Sequence, residues 1–253
     1  GVYHGLVVVA KPFVKIVRAA ATQSKVEIRG QVIFRECAMG AKLQGCTVSV
    51  ACPGGAVDLK GVKGNVTIED CEISNASSAG IIFEGCSGDT TISRCVVHHC
   101  KYDGLGLHLV KGVQTHTGSV MITDSTFEAN GYDGLYLADP RFWVTLLRSR
   151  VVGNQRHGIF VRGSKFDMQE STVGENGQED VHRERFDPQR HDRQQASTRE
   201  QTPREVAASD LPAGWRVFRT AEGLRYYYHC ETGTTQWSPP GGVEGAPARA
   251  VPP

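Results

Sequence analysis

The sequence predicts an all-β chain: a solenoid of stacked repeats over residues 1–177, followed by a small aromatic module near the C-terminus. Three observations predict it. Apolar residues recur at i and i+2 among many β-branched residues and glycines, and no segment keeps a helical spacing for three turns. One block recurs at steps of 22 to 30 residues. Two tryptophans, 22 residues apart, bracket three consecutive tyrosines.

The repeat emerges when the chain is slid against itself. With Cys71, Cys95, Ser125 and Ser149 aligned, a glycine follows nine residues later in each copy: Gly80, Gly104, Gly134 and Gly158. An apolar pair flanks one residue after each glycine: Ile81 and Phe83, Leu105 and Leu107, Leu135 and Leu137, Ile159 and Val161. Ile68, Ile92, Ile122 and Leu146 precede the anchor, and Ile73, Val97, Phe127 and Val151 follow it. Cys46 opens an earlier copy and Ser171 a fading last one. Each copy holds two or three short strands, too few to bury a face alone, so copies must stack with equivalent strands paired. Stacking turns the anchors into a ladder of small residues. Cys100, Asn130, Asn154 and Asn176 become a second ladder, whose amides can hydrogen-bond along the solenoid axis.

Repeats of this length and punctuation resemble the right-handed parallel β-helix of the pectin-lyase-like group. The opening, Gly1-Val-Tyr-His-Gly-Leu-Val-Val-Val-Ala-Lys-Pro-Phe-Val-Lys-Ile-Val17, resembles the first turn of β-helices of the carbohydrate-binding and sugar-hydrolase type, including those attached to F-box proteins. The resemblance implies a right-handed parallel β-helix over residues 1–177. The chain opens at Gly1, inside a patterned segment, and so reads as a piece of a longer protein.

One constellation suggests chemistry. Asp103, Asp133 and His157 each precede the repeat glycine and should line one rim on neighbouring turns, beside Tyr102, Tyr132 and Arg156. Two close carboxylates split their pKa values and so supply an acid and a base for glycoside chemistry. The alternative is that Asp-Gly is common turn chemistry, multiplied by the repeat. The N-T-D, D-D, G-H-G and R-I-K strings of polygalacturonases are absent, and Arg156-His157-Gly158 matches only a fragment of them. No catalysis is assigned, and a carbohydrate-active or glycan-binding β-helix stands as the rival reading. Tyr136 and Phe160 should point outward on adjacent turns, where they suit a carbohydrate ring, a protein partner, or cover by the linker.

Residues 178–209 are rich in Gln, Arg, Glu and Asp and read as a flexible tether. Residues 210–241 then carry Leu211-Pro-Ala-Gly-Trp215, Gly223-Leu-Arg-Tyr226-Tyr227-Tyr228-His229 and Thr234-Thr-Gln-Trp237-Ser-Pro-Pro240. This order resembles the WW family along its whole length. The resemblance implies a three-stranded antiparallel sheet, clasped behind by Trp215, Tyr227 and Pro240 with Pro212 helping. It also implies a slot for proline in a polyproline II helix formed by Tyr226 and Trp237, with Thr235 on the ligand backbone. Cys230 stands where PPxY binders usually place His, and Tyr228 supplies the third tyrosine found in WW domains of the splicing-factor and formin-binding kind. Proline-rich segments of PPLP or polyproline type are therefore the expected partners. Residues 242–253 form a Pro/Gly-rich tail.

Composition limits the other classes. Net charge is +1, which argues against a nucleic-acid-binding face. The longest apolar run, Leu6–Ala10, is far short of a membrane span. None of the eight cysteines forms a C-x-x-C pair, and several fall on repeat positions, so they read as small buried residues in a reducing, intracellular, cytoplasmic setting. No metal or cofactor is expected.

Overall fold

The computed structural model describes residues 1–18, 26–36, 38–50, 54–109, 117–186, 204–205, 211–212, 215–219, 225–229, 235–236 and 240, and they contain strands and turns but no helix. The chain divides into two compact units, Gly1–Phe186 and Asp187–Pro253.

The first unit is a right-handed parallel β-solenoid of about seven turns. A representative turn runs through Val66–Glu69, Glu72–Ser74 and Ile81–Glu84 before Gly88–Ser93 starts the next. Each of these strands joins its counterparts above and below, giving two sheets of eight strands and one of seven. We call them sheet A (Glu72–Ser74), sheet B (Ile81–Glu84) and sheet C (Val66–Glu69). The chain turns from sheet C to sheet A on one residue in the left-handed region. Asp70, Arg94, Asp124, Arg148 and Glu170 occupy that corner, with φ of 54°, 50°, 50°, 46° and 50°. A second corner leaves sheet A at Asn75, His99, Ala129 and Glu175, with φ of 56°, 54°, 52° and 58°. Non-glycine residues there cost about 1–2 kcal/mol each, which the stacking that the corners permit must offset.

That stacking places side chains in columns. Ile68, Ile92, Ile122 and Leu146 are register partners in sheet C, and all four are fully buried. Ile73, Val97, Phe127 and Val151 do the same in sheet A, and Ile81, Leu105, Leu135 and Ile159 in sheet B. Each such side chain contributes about 1.5–3 kcal/mol by leaving water.

The ladders of small residues are where the repeat puts them. The Cys95 amide donates to Ser125 Oγ at 3.1 Å, Ser125 to Ser149 Oγ at 3.1 Å, and Ser149 to Ser171 Oγ at 3.0 Å. One corner later the Asn130 Nδ2 donates to Asn154 Oδ1 at 3.0 Å, and Asn154 Nδ2 to Asn176 Oδ1 at 3.1 Å. The repeat glycines give these amides room. A Cβ on Gly134 would lie 2.7 Å from the Gly158 carbonyl oxygen and 2.8 Å from Asn154 Nδ2.

The stack runs past residue 177, where the sequence suggests the tether begins. Val181–Glu184 pairs with Ile159–Arg162 as the last strand of sheet B, and the first unit reaches Phe186. One apolar residue, Val181, suffices to continue the Ile159 column among charged neighbours.

In the second unit, Trp215–Arg219, Arg225–His229 and Thr235–Gln236 form the expected antiparallel sheet. A fourth strand not expected from the sequence, Arg204–Glu205, pairs with Trp215–Arg219. It comes from the stretch read as tether, and it covers a strand edge whose backbone groups would otherwise stay unpaired.

Candidate functional site

The repeat aligns Asp103, Asp133 and His157 on neighbouring turns, as the sequence suggests. What the alignment presents to solvent differs from an active-site rim. Relative exposures are 9% for Asp103, 1% for Asp133 and 6% for His157. The Asp133 amide donates to Asp103 Oδ1 at 3.1 Å, and the His157 amide donates to Asp133 Oδ1 at 2.9 Å. The His157 Nδ1 lies 2.9 Å from the same oxygen. The carboxylates thus cap backbone amides from turn to turn, the role that asparagine plays one ladder away. Burial, together with the neighbouring Asp133 charge, pushes the Asp103 carboxyl up to about 7. Tyr102 and Tyr132 flank this rim edge to face, with ring centroids 5.0 Å apart, and Arg156 lies 5.2 Å over Tyr132.

The outward face of sheet B carries a column of rings. His108 and Tyr136 are 5.2 Å apart, Tyr136 and Phe160 5.3 Å, and Phe160 and His182 5.2 Å. The His108 ring lies over Gly106, where a Cβ would sit 2.6 Å from His108 Nε2. The Tyr136 and Phe160 rings are stacked nearly parallel at 11°, Arg162 lies 5.1 Å from the Phe160 centroid, and Phe160 is only 5% exposed. Their faces are therefore spent on one another. A carbohydrate ring stacks on an open aromatic face, and this column offers edges. Burial also raises the Tyr136 hydroxyl above its ordinary range.

In the second unit the structure describes the clasp more fully than the ligand face. Val217 opposes Tyr227, and Trp215 opposes His229, across the first strand pair. Residues opposite one another share a face, so all four lie together. Val217 and Pro240 are buried, Trp215 and Tyr227 half-buried. The Trp215 and His229 rings meet edge to face at 5.0 Å. Pro212 is exposed, and its carbonyl accepts the Trp215 amide at 3.1 Å. The backbone register puts positions 226 and 228 on the opposite face, with Thr235 across from Tyr228. Cys230 and Trp237 lie outside the described residues.

Sequence reasoning passed over the C-to-A corner, where Asp70, Arg94, Asp124, Arg148 and Glu170 alternate in sign. Arg94 pairs with Asp70 at 2.6 Å and with Glu69, and Arg148 pairs with Asp124 at 2.8 Å. The signal was available as the residue preceding each anchor. Cys46, Cys86 and Cys100 are buried free thiols, and burial pushes each up to about 11, which suits packing rather than reactivity. Among the described residues, no group of three or more His, Cys, Asp or Glu side chains is arranged to hold a metal ion.

The three parallel sheets and the small antiparallel one define a right-handed β-helix protein with an appended aromatic module. The family model for the right handed beta helix region matches residues 19–180, and the chain belongs to that family. The WW domain model matches residues 211–240, so the module is a WW domain. Among solved structures the chain is similar to the periplasmic alginate epimerase AlgG, at 19% identity and a TM-score of 0.49 over 68% of this chain and 43% of that one. The chain thus spans less than half the length of that protein. It is also similar to QnrB1, a plasmid-mediated fluoroquinolone resistance protein, at 14% identity and a TM-score of 0.30 over 83% of this chain and 100% of that one. Neither likeness bears on activity.

Proposed function

We propose that the protein is an interaction adaptor, whose WW domain binds proline-rich segments of PPLP or polyproline type and whose β-helix is a non-catalytic scaffold. The WW match at residues 211–240 carries this reading. The ligand positions are Tyr226, Tyr228, Cys230, Thr235 and Trp237. Proline-rich segments suit such a slot because they are already extended and lose little entropy on docking. The scaffold half of the reading is supported by Asp103 and Asp133, which are buried and engaged with backbone amides. The five buried free thiols among the described residues fit an intracellular, cytoplasmic setting. Fluorescence titration of the full chain with a PPLP-type peptide should give micromolar binding, about −8 kcal/mol or weaker. Binding should vanish in Trp237→Ala, and unchanged binding in that variant would remove the slot from the proposal.

A second reading draws on one observation. A carboxyl raised to about 7 beside a second carboxylate and an imidazole is a frequent mark of acid–base chemistry. On that reading the β-helix is a carbohydrate-active enzyme localised by its WW domain. Turnover of an acidic glycan, lost in Asp133→Asn, is the result it requires.

A further inference from the structure

One turn in the middle of the stack carries two adjacent histidines on the outside of sheet A. His98 ends the strand Val96–His98, and its side chain faces outward because Val97 before it is fully buried in the interior column. His99 follows at the corner, with φ of 54°. That left-handed step brings the two rings together. Their planes are 87° apart, their centroids 5.0 Å apart, and their Nδ1 atoms 2.7 Å apart. The equivalent pairs on other turns are Ser74-Asn75, Glu128-Ala129, Val152-Gly153 and Gly174-Glu175. A device needed for stacking would recur, and this one does not.

Two ring nitrogens this close hold one hydrogen between them. The Nε2 of His98 lies 3.5 Å from a Glu72 carboxylate oxygen on the turn below. The carboxylate favours the hydrogen on that nitrogen, which leaves His98 Nδ1 as a lone pair. His99 Nδ1 then carries the shared hydrogen. When that hydrogen moves to the Nε2 of the exposed His99 ring, two lone pairs stand within reach of one ion, and no net proton is lost.

We propose that His98 Nδ1 and His99 Nδ1 chelate a divalent late first-row transition metal, with Glu72 orienting the His98 ring. With metal–nitrogen bonds of about 2.0 Å, a separation of 2.7 Å subtends about 85° at the ion. That bite suits the right-angled positions of a square-planar or tetragonal site, and so copper(II) or nickel(II) before tetrahedral zinc(II). Two side chains leave the remaining positions to water, so the site is open. Glu128 is the register partner of His98 on the turn above and adds negative charge to the same face. The side chain of His98 is 21% exposed and that of Glu72 37%, so an ion reaches the pair from solvent.

The test is calorimetric titration of the untagged 253-residue chain with copper(II), nickel(II) and zinc(II), together with electron paramagnetic resonance of the copper form. One site per chain should bind copper(II) most tightly, and the spectrum should report two equatorial nitrogens. His98→Gln should abolish that site. So should His99→Asn, in which asparagine tolerates the left-handed backbone. Both variants should keep the wild-type far-ultraviolet circular dichroism. Glu72→Gln keeps both ligands and should weaken binding by roughly 10-fold. His182→Gln, a histidine outside the pair, should bind as wild type does. Absence of binding overturns the proposal, as does a copper site that survives in His98→Gln and His99→Asn, which would be an adventitious ion only. Unchanged affinity in Glu72→Gln would overturn the orienting role of that carboxylate.

Discussion

Asp133 Oδ1 accepts both the amide and the Nδ1–H of His157 from the next turn, each at 2.9 Å. One oxygen thereby secures the backbone and the ring of its neighbour, while Asp133 takes its own amide to Asp103. The same geometry that lines up an acid pair also consumes it.

Asp103 carries a pH prediction. Its folded-state carboxyl sits at about 7 against an ordinary 3.8, chiefly from burial. A raised acid holds its proton more tightly in the folded state. Its penalty is therefore absent below about pH 4, grows as pH climbs to about 7, and persists above that. Asp103→Asn keeps an oxygen for the Asp133 amide and removes the buried charge. Urea midpoints should show the variant more stable than wild type at pH 8, by on the order of a few kcal/mol, with the gain gone at pH 4. An equal gain at both pH values would mean that ionisation of Asp103 is not the cause.

The two polar ladders should respond differently. Asn154 accepts from Asn130 and donates to Phe127 and Asn176 in the interior. Asn154→Ala strands several buried groups, at about 1–3 kcal/mol each, and should lower the urea midpoint sharply at any salt concentration. Arg148→Ala removes an exposed pair with Asp124. Its effect should be small and should fade as salt is added. Comparable losses in both would contradict the division into buried and exposed ladders.

Purified protein should not depolymerise polygalacturonate or alginate. Reducing-end and unsaturated-product assays give the check, with Asp133→Asn as the control. Activity that disappears in that variant would establish the carbohydrate-active reading and end the scaffold one.

Trp215 and Trp237 should part company. Trp215 packs on His229 at 5.0 Å beside the buried Val217. Trp215→Ala should cost about 3–5 kcal/mol, more than so small a sheet can bear, and limited proteolysis should then cut the WW domain while sparing the β-helix. Trp237→Ala should leave the proteolysis pattern of wild type.

Much of the solenoid was legible because a stack repeats its constraints. An isoleucine three residues before Cys71, Cys95 and Ser125 can only be one interior column, and Asn130, Asn154 and Asn176 can only be one ladder. The ends were harder to read, since Val181 alone marks the last strand of sheet B and the column is fading there. Arg204–Glu205 is a strand only because a partner edge is available, and nothing in its own composition says so. The Asp103 and Asp133 alignment was visible in the sequence, but their burial was not. Tyr136 and Phe160 lie on adjacent turns as expected, and their mutual stacking removes the open faces that the spacing suggested.

The central claim is tested most directly by titrating the full chain, wild type and Tyr228→Ala, with a PPLP-type and a PPxY-type peptide under one set of conditions. Tyr228 is the third consecutive tyrosine, and Cys230 stands where PPxY binders usually place His. Wild type should prefer the PPLP-type peptide, and Tyr228→Ala should lose more affinity for it than for PPxY. A clear preference for PPxY, or equal losses for both peptides, would contradict the account.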